Sequence, residues 1–128
     1  MTLSSLKVTV IEDDAQVRRA FGRIFRAYGY TTNEFASAED FLADEPDASG
    51  CLLLDIDLTG MSGIDLYRKI LQRPGPVPPV VFVTGKPSAA LESAARTLGA
   101  LDFLVKPVDA QHLMHAVKRA EGFDGPAR

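Results

Sequence analysis

Several features that mark particular classes of protein are missing from this sequence. It has a single cysteine, Cys51, which cannot form a disulfide within the chain and which opens an apolar run, so we predict a buried structural thiol and a cytoplasmic location. No apolar run approaches the ~20 residues that a membrane-spanning helix needs. The N-terminus lacks the charged region and long apolar stretch of a secretory signal. A net charge of −3 argues against direct binding of nucleic acid.

What is present indicates one ordinary globular domain of 128 residues, 46% hydrophobic and 24% charged. Apolar or β-branched runs predict strands at 7–11, 30–35, 51–54, 80–83 and 102–105. Apolar residues at spacings of three and four predict helices between Asp14 and Gly29, from Ser37 to before Pro46, and over 63–71, 88–98 and 109–120. Strands that alternate with helices predict an α/β domain whose parallel sheet has helices on both faces.

Polar side chains stand where four of the predicted strands end. Glu12 and Asp13 follow the first strand, Asp55 the third, Thr84 the fourth and Lys106 the fifth. Each of these residues alone would be an ordinary turn or surface residue. In an open parallel sheet, however, the carboxyl ends of the strands lie at one edge, where ligands bind. We therefore expect these five side chains to converge.

Their chemistry is complementary. Three carboxylates in one cleft repel one another unless a cation or an ammonium group is present. Hard carboxylate oxygens at a water-accessible edge suit Mg²⁺ or Mn²⁺. The Thr84 hydroxyl and the Lys106 ammonium both suit phosphoryl oxygens. The set predicts phosphoryl transfer to a carboxylate, with Asp55 as a candidate acceptor.

The segment LLLDIDLTG at 52–60 is similar to motifs of two families that form an aspartyl phosphate. One is the haloacid-dehalogenase-type phosphatases, with their D-x-D-x-T nucleophile motif, and the other is the receiver domains of two-component signalling. The phosphatases need a metal-binding acidic pair after the nucleophile, whereas the pair here precedes it, so the order of the motifs disfavours that hypothesis. A flavodoxin-like redox module is a third alternative, but no Ser/Thr/Gly-rich loop follows the first strand and the chain has no tryptophan.

From about Lys7 to Ala120 the chain resembles the receiver domain of response regulators. The resemblance rests on the acidic pair after the first strand, Asp55 followed by M-S-G, the T-G that ends the fourth strand, and the segment DFLVKP. The details S-A-E-x-F-L and V-T-G look most like the FixJ-type branch of transcriptional regulators. The resemblance implies a single doubly wound (βα)5, CheY-like fold, of the flavodoxin-like kind, with strand order 2-1-3-4-5. It implies a domain over 1–121 and a tail over 122–128, frayed or the start of a linker.

By this resemblance, Asp55 accepts the phosphoryl group from a phosphohistidine of a sensor histidine kinase. Asp13 and Asp55 would bind Mg²⁺ directly and Glu12 through water, and the backbone carbonyl of Asp57 would complete the protein ligands. The only catalysis implied is that of the domain's own phosphorylation and dephosphorylation, so it is not an enzyme. DNA would be bound only through an output domain outside this chain.

The resemblance also implies a switch. Lys106 would pair with Asp55 and then with the phosphoryl group, Thr84 would hydrogen-bond the phosphoryl group, and Phe103 would turn inward, although Phe103 could instead be a plain core aromatic. The Lys106–Pro107 peptide is expected to be cis. The expected readout surface is formed by the fourth helix, the fifth strand and the fifth helix, and a phosphorylation-dependent homodimer through that surface is left open.

The chain departs from the usual receiver pattern in three respects. Thr59 stands where proline is usual, so the loop after Asp55 is expected to be more mobile. Gly85 replaces the commoner alanine or serine. We hypothesise that Asp57 and Lys86 pair across the site and alter the lifetime of the acyl phosphate, because they carry opposite charges at facing positions.

Overall fold

The computed structural model of the protein describes residues 7–44 and 50–122. Strands and helices alternate along the chain. The strands are β1 (Lys7–Ile11), β2 (Thr31–Phe35), β3 (Cys51–Asp55), β4 (Val80–Thr84) and β5 (Asp102–Val105). The helices are α1 (Ala15–Ala27), α2 (Ala38–Asp44), α3 (Gly63–Gln72), α4 (Ala89–Thr97) and α5 (Ala110–Ala120).

The strands form one parallel sheet in the order β2-β1-β3-β4-β5, which confirms the predicted doubly wound arrangement. β3 and β4 lie at its centre, and every residue in them is buried. This explains why both segments are apolar without alternation, since a strand covered on both faces presents no side to water. Only their last residues, Asp55 and Thr84, carry polar side chains.

Two apolar layers sandwich the sheet. Along β3, Leu52 and Leu54 point to the layer formed with α2, α3 and α4, whereas Cys51 and Leu53 point to the layer formed with α1 and α5. Cys51 is a free, buried thiol whose pKa is raised to about 12 by burial, as the sequence predicts for a structural cysteine. No helix within 7–44 and 50–122 has the length and apolar character that crossing a bilayer requires.

The element boundaries agree closely with the predicted ones, with one correction in β2. This strand begins at Thr31 rather than Tyr30, because the backbone N–H of Tyr30 donates to the carbonyl of Phe25 and so belongs to the C-terminal turn of α1. The predicted cap at Asp14 is confirmed, since its side chain accepts from the backbone N–H groups of Gln16 and Val17. Pro46, and the predicted tail after Gly122, lie outside the described residues.

Candidate functional site

The carboxyl edge of the sheet collects the polar residues that end the central strands. Glu12, Asp55 and Thr84 are almost entirely buried there, with exposed fractions of 1%, 1% and 0%. Asp13 is exposed and Lys106 is partly buried at the rim. The five side chains expected to converge therefore lie at one edge of the sheet, each placed by the strand that precedes it.

Lys106 lies between two of the carboxylates. Its ammonium nitrogen Nζ is 3.2 Å from Asp55 Oδ2 and 2.6 Å from Glu12 Oε1. Its backbone N–H donates to the carbonyl of Thr84, and its peptide bond with Pro107 is cis, as the sequence predicts. Burial lowers the pKa of Lys106, but the two carboxylates outweigh burial and raise it, so the ammonium stays charged.

Glu12 occupies the most demanding position in this set. Burial raises its pKa to about 7, even though Lys106 and a backbone hydrogen bond from Asp14 act in the opposite direction. Its Oε2 accepts the Asp14 N–H at 3.0 Å. Its Oε1 is 2.6 Å from the Lys106 ammonium, and because a carboxylate oxygen has two lone pairs it can accept a second electropositive partner.

Asp13 is held by the loop that follows β3. Its Oδ2 accepts the backbone N–H of Thr59 at 3.2 Å and the Thr59 hydroxyl at 3.0 Å. Partial burial raises the pKa of Asp13, but these hydrogen bonds prevail and lower it, so the carboxylate is ionised at neutral pH. Threonine thus supplies two donors that proline lacks, while the expectation of a more mobile loop stays a prediction.

The acidic residues fit a divalent cation. Glu12, Asp13 and Asp55 each offer an oxygen within 4.8 Å of the other two. Glu12 and Asp55 share the Lys106 ammonium, and Glu12 Oε1 can accept a second electropositive partner. Hard oxygen donors of this kind are the ligands that Mg²⁺ takes in proteins. The residues present can therefore hold such an ion, while the role of the Asp57 carbonyl stays a prediction.

The hypothesis that Asp57 pairs with Lys86 is wrong for this structure. Asp57 Oδ2 instead accepts the Thr84 hydroxyl at 2.7 Å and the Gly85 N–H at 3.3 Å. The Lys86 backbone N–H donates to Thr84 Oγ1, while its side chain is exposed and forms no ion pair among the residues described. The contact of Asp57 with the Thr84 hydroxyl is favoured over an ion pair with Lys86. It is a charge-assisted hydrogen bond from a fixed donor, whereas an exposed lysine loses side-chain entropy on pairing.

Phe103 lies in the layer beneath the site. It is 9% exposed and packs in the layer formed with α2, α3 and α4. A surface cavity of about 250 Å³ opens beside it and is lined by Val105, Pro107 and His112 among others. Val105, which pairs in register with Thr84, is 47% exposed. The inward turn of Phe103 stays a prediction.

One contact near the site escapes sequence reasoning altogether. Glu39 of α2 accepts the Met61 N–H at 2.9 Å, and its carboxylate rests against Gly60, whose φ is +84°. A Cβ at this glycine would come within 2.7 Å of the carboxylate. No periodicity or motif links a surface glutamate to a loop so far along the chain. By contrast, the sequence did indicate that Thr59 is unusual, because it stands where proline is expected. It did not indicate that Asp13 is the partner of Thr59.

Comparison with known proteins identifies this arrangement of fold and site. The family model described as the response regulator receiver domain matches residues 8–118. The chain therefore belongs to the receiver domains of response regulators, as its motifs predict. Receiver domains are signalling domains rather than true enzymes.

Several relatives of the chain are described as transcriptional regulatory proteins. It is 38% identical to the C4-dicarboxylate transport transcriptional regulatory protein DctR of Rhodobacter capsulatus, over 86% of this chain and 57% of that protein. It is 35% identical to the transcriptional regulatory protein FixJ of Azorhizobium caulinodans, over 92% of this chain and 56% of that protein. The crystal structure of FixJ-N superposes with a TM-score of 0.84 at 28% identity, covering 94% and 98% of the two chains. The chain thus spans about half the length of the DctR and FixJ proteins.

Proposed function

We propose that this domain accepts a phosphoryl group on Asp55 from a sensor histidine kinase, with Mg²⁺ bound beside it. The observation that carries the proposal is a buried carboxylate at a strand end with an ammonium 3.2 Å away and two further carboxylates around it. The ammonium stands where it can balance the negative charge of the attacking carboxylate.

The reaction is an in-line displacement at phosphorus. A carboxylate oxygen of Asp55 forms the new O–P bond as the N–P bond of the phosphohistidine breaks, and the imidazole leaves with the electron pair. Lys106 pairs with the Asp55 carboxylate before the reaction and with the phosphoryl oxygens after it. The side chains of Glu12, Asp13 and Asp55 and the carbonyl of Asp57 would hold Mg²⁺, which supplies charge neutralisation. The Asp57 N–H bonded to Asp55 Oδ1 at 2.9 Å fixes the acceptor group.

Switching requires more than one contact. Moving a population from mostly inactive to mostly active takes about 5 kcal/mol of preferential stabilisation. A single Thr84 hydrogen bond to a charged oxygen supplies roughly 1.5–3 kcal/mol. Lys106 contacts and repacking of Phe103 would supply the remainder. The change would be read on the α4-β5-α5 face.

That face would carry the partner contacts. A phosphorylation-dependent homodimer through α4-β5-α5 is part of the proposal, and comparing gel filtration with and without beryllium fluoride tests it. Control of transcription, as in the relatives, would need an output domain to contact DNA. The cytoplasmic location predicted from the sequence belongs to this proposal as well.

The central test is phosphorylation by a small donor. Incubation with acetyl phosphate and Mg²⁺, followed by mass spectrometry and peptide mapping, should show one phosphoryl group per chain on Asp55. Chelation of Mg²⁺ and the variant Asp55→Asn should each abolish it. The matched control Asp65→Asn, at an exposed position on α3, should be phosphorylated like the parent. Many turnovers of a phosphomonoester would instead support a phosphatase, and bound FMN a redox module.

A second test concerns Asp57. Its carboxylate accepts the hydrogen bond of the Thr84 hydroxyl, the group proposed to bind the phosphoryl oxygens. Its carboxylate would compete with the phosphoryl oxygens for the Thr84 hydroxyl and the Gly85 N–H, and it would repel their charge. We therefore expect Asp57→Ala to lengthen the lifetime of the acyl phosphate severalfold. Lys86→Ala is the matched control, and it should change the lifetime less. Equal lifetimes in the parent and Asp57→Ala would show that the Asp57 contact has no part in turnover.

A further inference from the structure

The loop between β3 and α3 reaches back across the site to the acidic pair. Thr59 donates both its backbone N–H and its hydroxyl to one oxygen of Asp13, at 3.2 and 3.0 Å. The two residues are 46 positions apart, so the contact is a product of the fold rather than of local turn geometry. Both bonds end on a charged acceptor, which makes them stronger than hydrogen bonds between neutral groups.

The loop is fixed on its other side as well. The Glu39 carboxylate accepts the Met61 N–H at 2.9 Å, directly beyond Gly60. Ser62 then caps α3 by accepting the Asp65 N–H at 3.1 Å. Because the residues after Thr59 are anchored to α2 and α3, the two donors of Thr59 are presented to Asp13 from a defined position rather than from a free loop.

This arrangement uses half of the Asp13 carboxylate and leaves the other half available. An ionised carboxylate has about four acceptor sites on two oxygens, and Thr59 occupies Oδ2 alone. In the same rotamer, Asp13 still brings an oxygen within 4.8 Å of oxygens of Glu12 and Asp55. Asp13 is exposed, and the two Thr59 bonds restrict the rotation of its carboxylate on that side.

We propose that Thr59 is a positioning residue for the cation site, which orients the Asp13 carboxylate through Oδ2 so that Oδ1 is directed to the metal. The inference rests on the proposed function, because it deepens the assignment of the acidic cluster as the Mg²⁺ site. Hydrogen-bonded partners of metal ligands act in this way in many metalloproteins, and their removal typically weakens metal affinity 10- to 100-fold. Proline, which the resemblance gives as usual at this position, would provide neither donor.

The test measures Mg²⁺ binding to the unphosphorylated protein, by calorimetry and by the amide NMR signals of the loop. Thr59→Val keeps the shape but removes the hydroxyl, and we expect an increase in the Mg²⁺ dissociation constant on the order of 10-fold. Thr59→Pro removes both donors and should weaken binding at least as much. Thr59→Ser restores a hydroxyl and should recover most of the affinity. Thr31→Val, an exposed threonine at the opposite end of the sheet, is the matched control and should bind Mg²⁺ like the parent.

A spectroscopic signature separates this role from a merely structural one. In the metal-free protein the amide proton of residue 59 should move upfield in Asp13→Asn, because its charged acceptor is lost, with the other loop amides little changed. Unchanged or tighter Mg²⁺ binding by Thr59→Val would overturn the inference, the latter because Thr59 would then compete with the metal. Failure of the parent itself to bind Mg²⁺ would overturn the proposed cation site together with it. Weaker binding by the valine and proline variants with recovery in serine would support the positioning role.

Discussion

Neighbouring residues at the ends of the two central strands are equally buried but chemically opposite. Leu54 and Val83 are 0% and 1% exposed, and the residues that follow them, Asp55 and Thr84, are 1% and 0% exposed. Burial alone therefore does not separate the core from the site. The two pairs differ in what surrounds them, since the first residue of each pair meets apolar side chains and the second meets charged and hydrogen-bonding groups.

This difference separates stability from function along a single strand. Burying an apolar side chain contributes about 1.5–3 kcal/mol to folding. Burying a carboxylate is unfavourable unless partners compensate for its lost hydration. At the carboxyl edge, Lys106 provides only part of that compensation, because its one ammonium pairs with both Glu12 and Asp55, and Asp13 lies close to those two carboxylates. The apolar interior should hold the fold together, while the polar edge should reduce its stability in the absence of a cation.

The largest effect is expected from the apolar side of the comparison. Leu54→Ala leaves a cavity between the sheet and the layer formed with α2, α3 and α4, and should lower the free energy of unfolding by about 2–5 kcal/mol. Urea unfolding with the metal chelated measures it. Tyr28→Ala, at a side chain that is 56% exposed, is the control and should change stability far less. A loss for Leu54→Ala no greater than for Tyr28→Ala would mean that the interior does not carry the stability assigned to it.

The pH dependence of stability should come from the polar edge, through Glu12. Its pKa rises from 4.5 to about 7 on burial, so the folded protein holds this proton more tightly than the unfolded chain does. The stabilisation is fully present below about 4.5 and is lost as the pH rises through about 7. Within that window the contribution falls by at most about 1.4 kcal/mol per pH unit.

The variant Glu12→Gln has no proton to lose and should remove this slope. Unfolding free energies of the parent and the variant should be compared at several pH values with the metal chelated. Glu39, an exposed carboxylate with a lowered pKa, is the control position, because its substitution by glutamine should leave the Glu12 slope in place. Parallel pH profiles for the parent and Glu12→Gln would show that another group controls the dependence.

The fold and the set of polar side chains could be predicted from the sequence for a physical reason. The spacing of apolar residues and the local composition are properties of short segments, so they determine where strands and helices form. A parallel sheet then brings the carboxyl ends of its strands to one edge, whatever the conformation of the loops. Asp55, Thr84 and Lys106 were predictable because Asp55 and Thr84 end buried strands and Lys106 directly follows β5. The buried Cys51 was predictable because it opens such a strand.

The pairing of Lys106 with Asp55 follows the resemblance, but other side-chain pairings near the site were not predictable in the same way. Asp57 and Lys86 are opposite in charge and stand at facing positions, yet the Asp57 carboxylate accepts a hydrogen bond from the Thr84 hydroxyl at 2.7 Å. Which rotamer an exposed side chain adopts depends on differences of about 1 kcal/mol between competing partners. The contact of Glu39 with Met61 has the same origin, since it depends on where α2 lies against the loop. Sequence pattern carries no information at that level.

The smallest effect, and the most direct comparison of core with site, is expected from Asp55→Asn. The substitution keeps the side chain's shape but removes one of three clustered negative charges, while Lys106 keeps its contact with Glu12 at 2.6 Å. We expect the free energy of unfolding to increase by about 1 kcal/mol with the metal chelated. Substitutions that remove unfavourable interactions from a functional site commonly stabilise a protein by this amount. Saturating Mg²⁺ should reverse the order, because the parent gains binding energy that the variant lacks. If Asp55→Asn instead destabilised the metal-free protein as much as Leu54→Ala does, the polar edge would support the fold as the core does, and the division between them would be wrong.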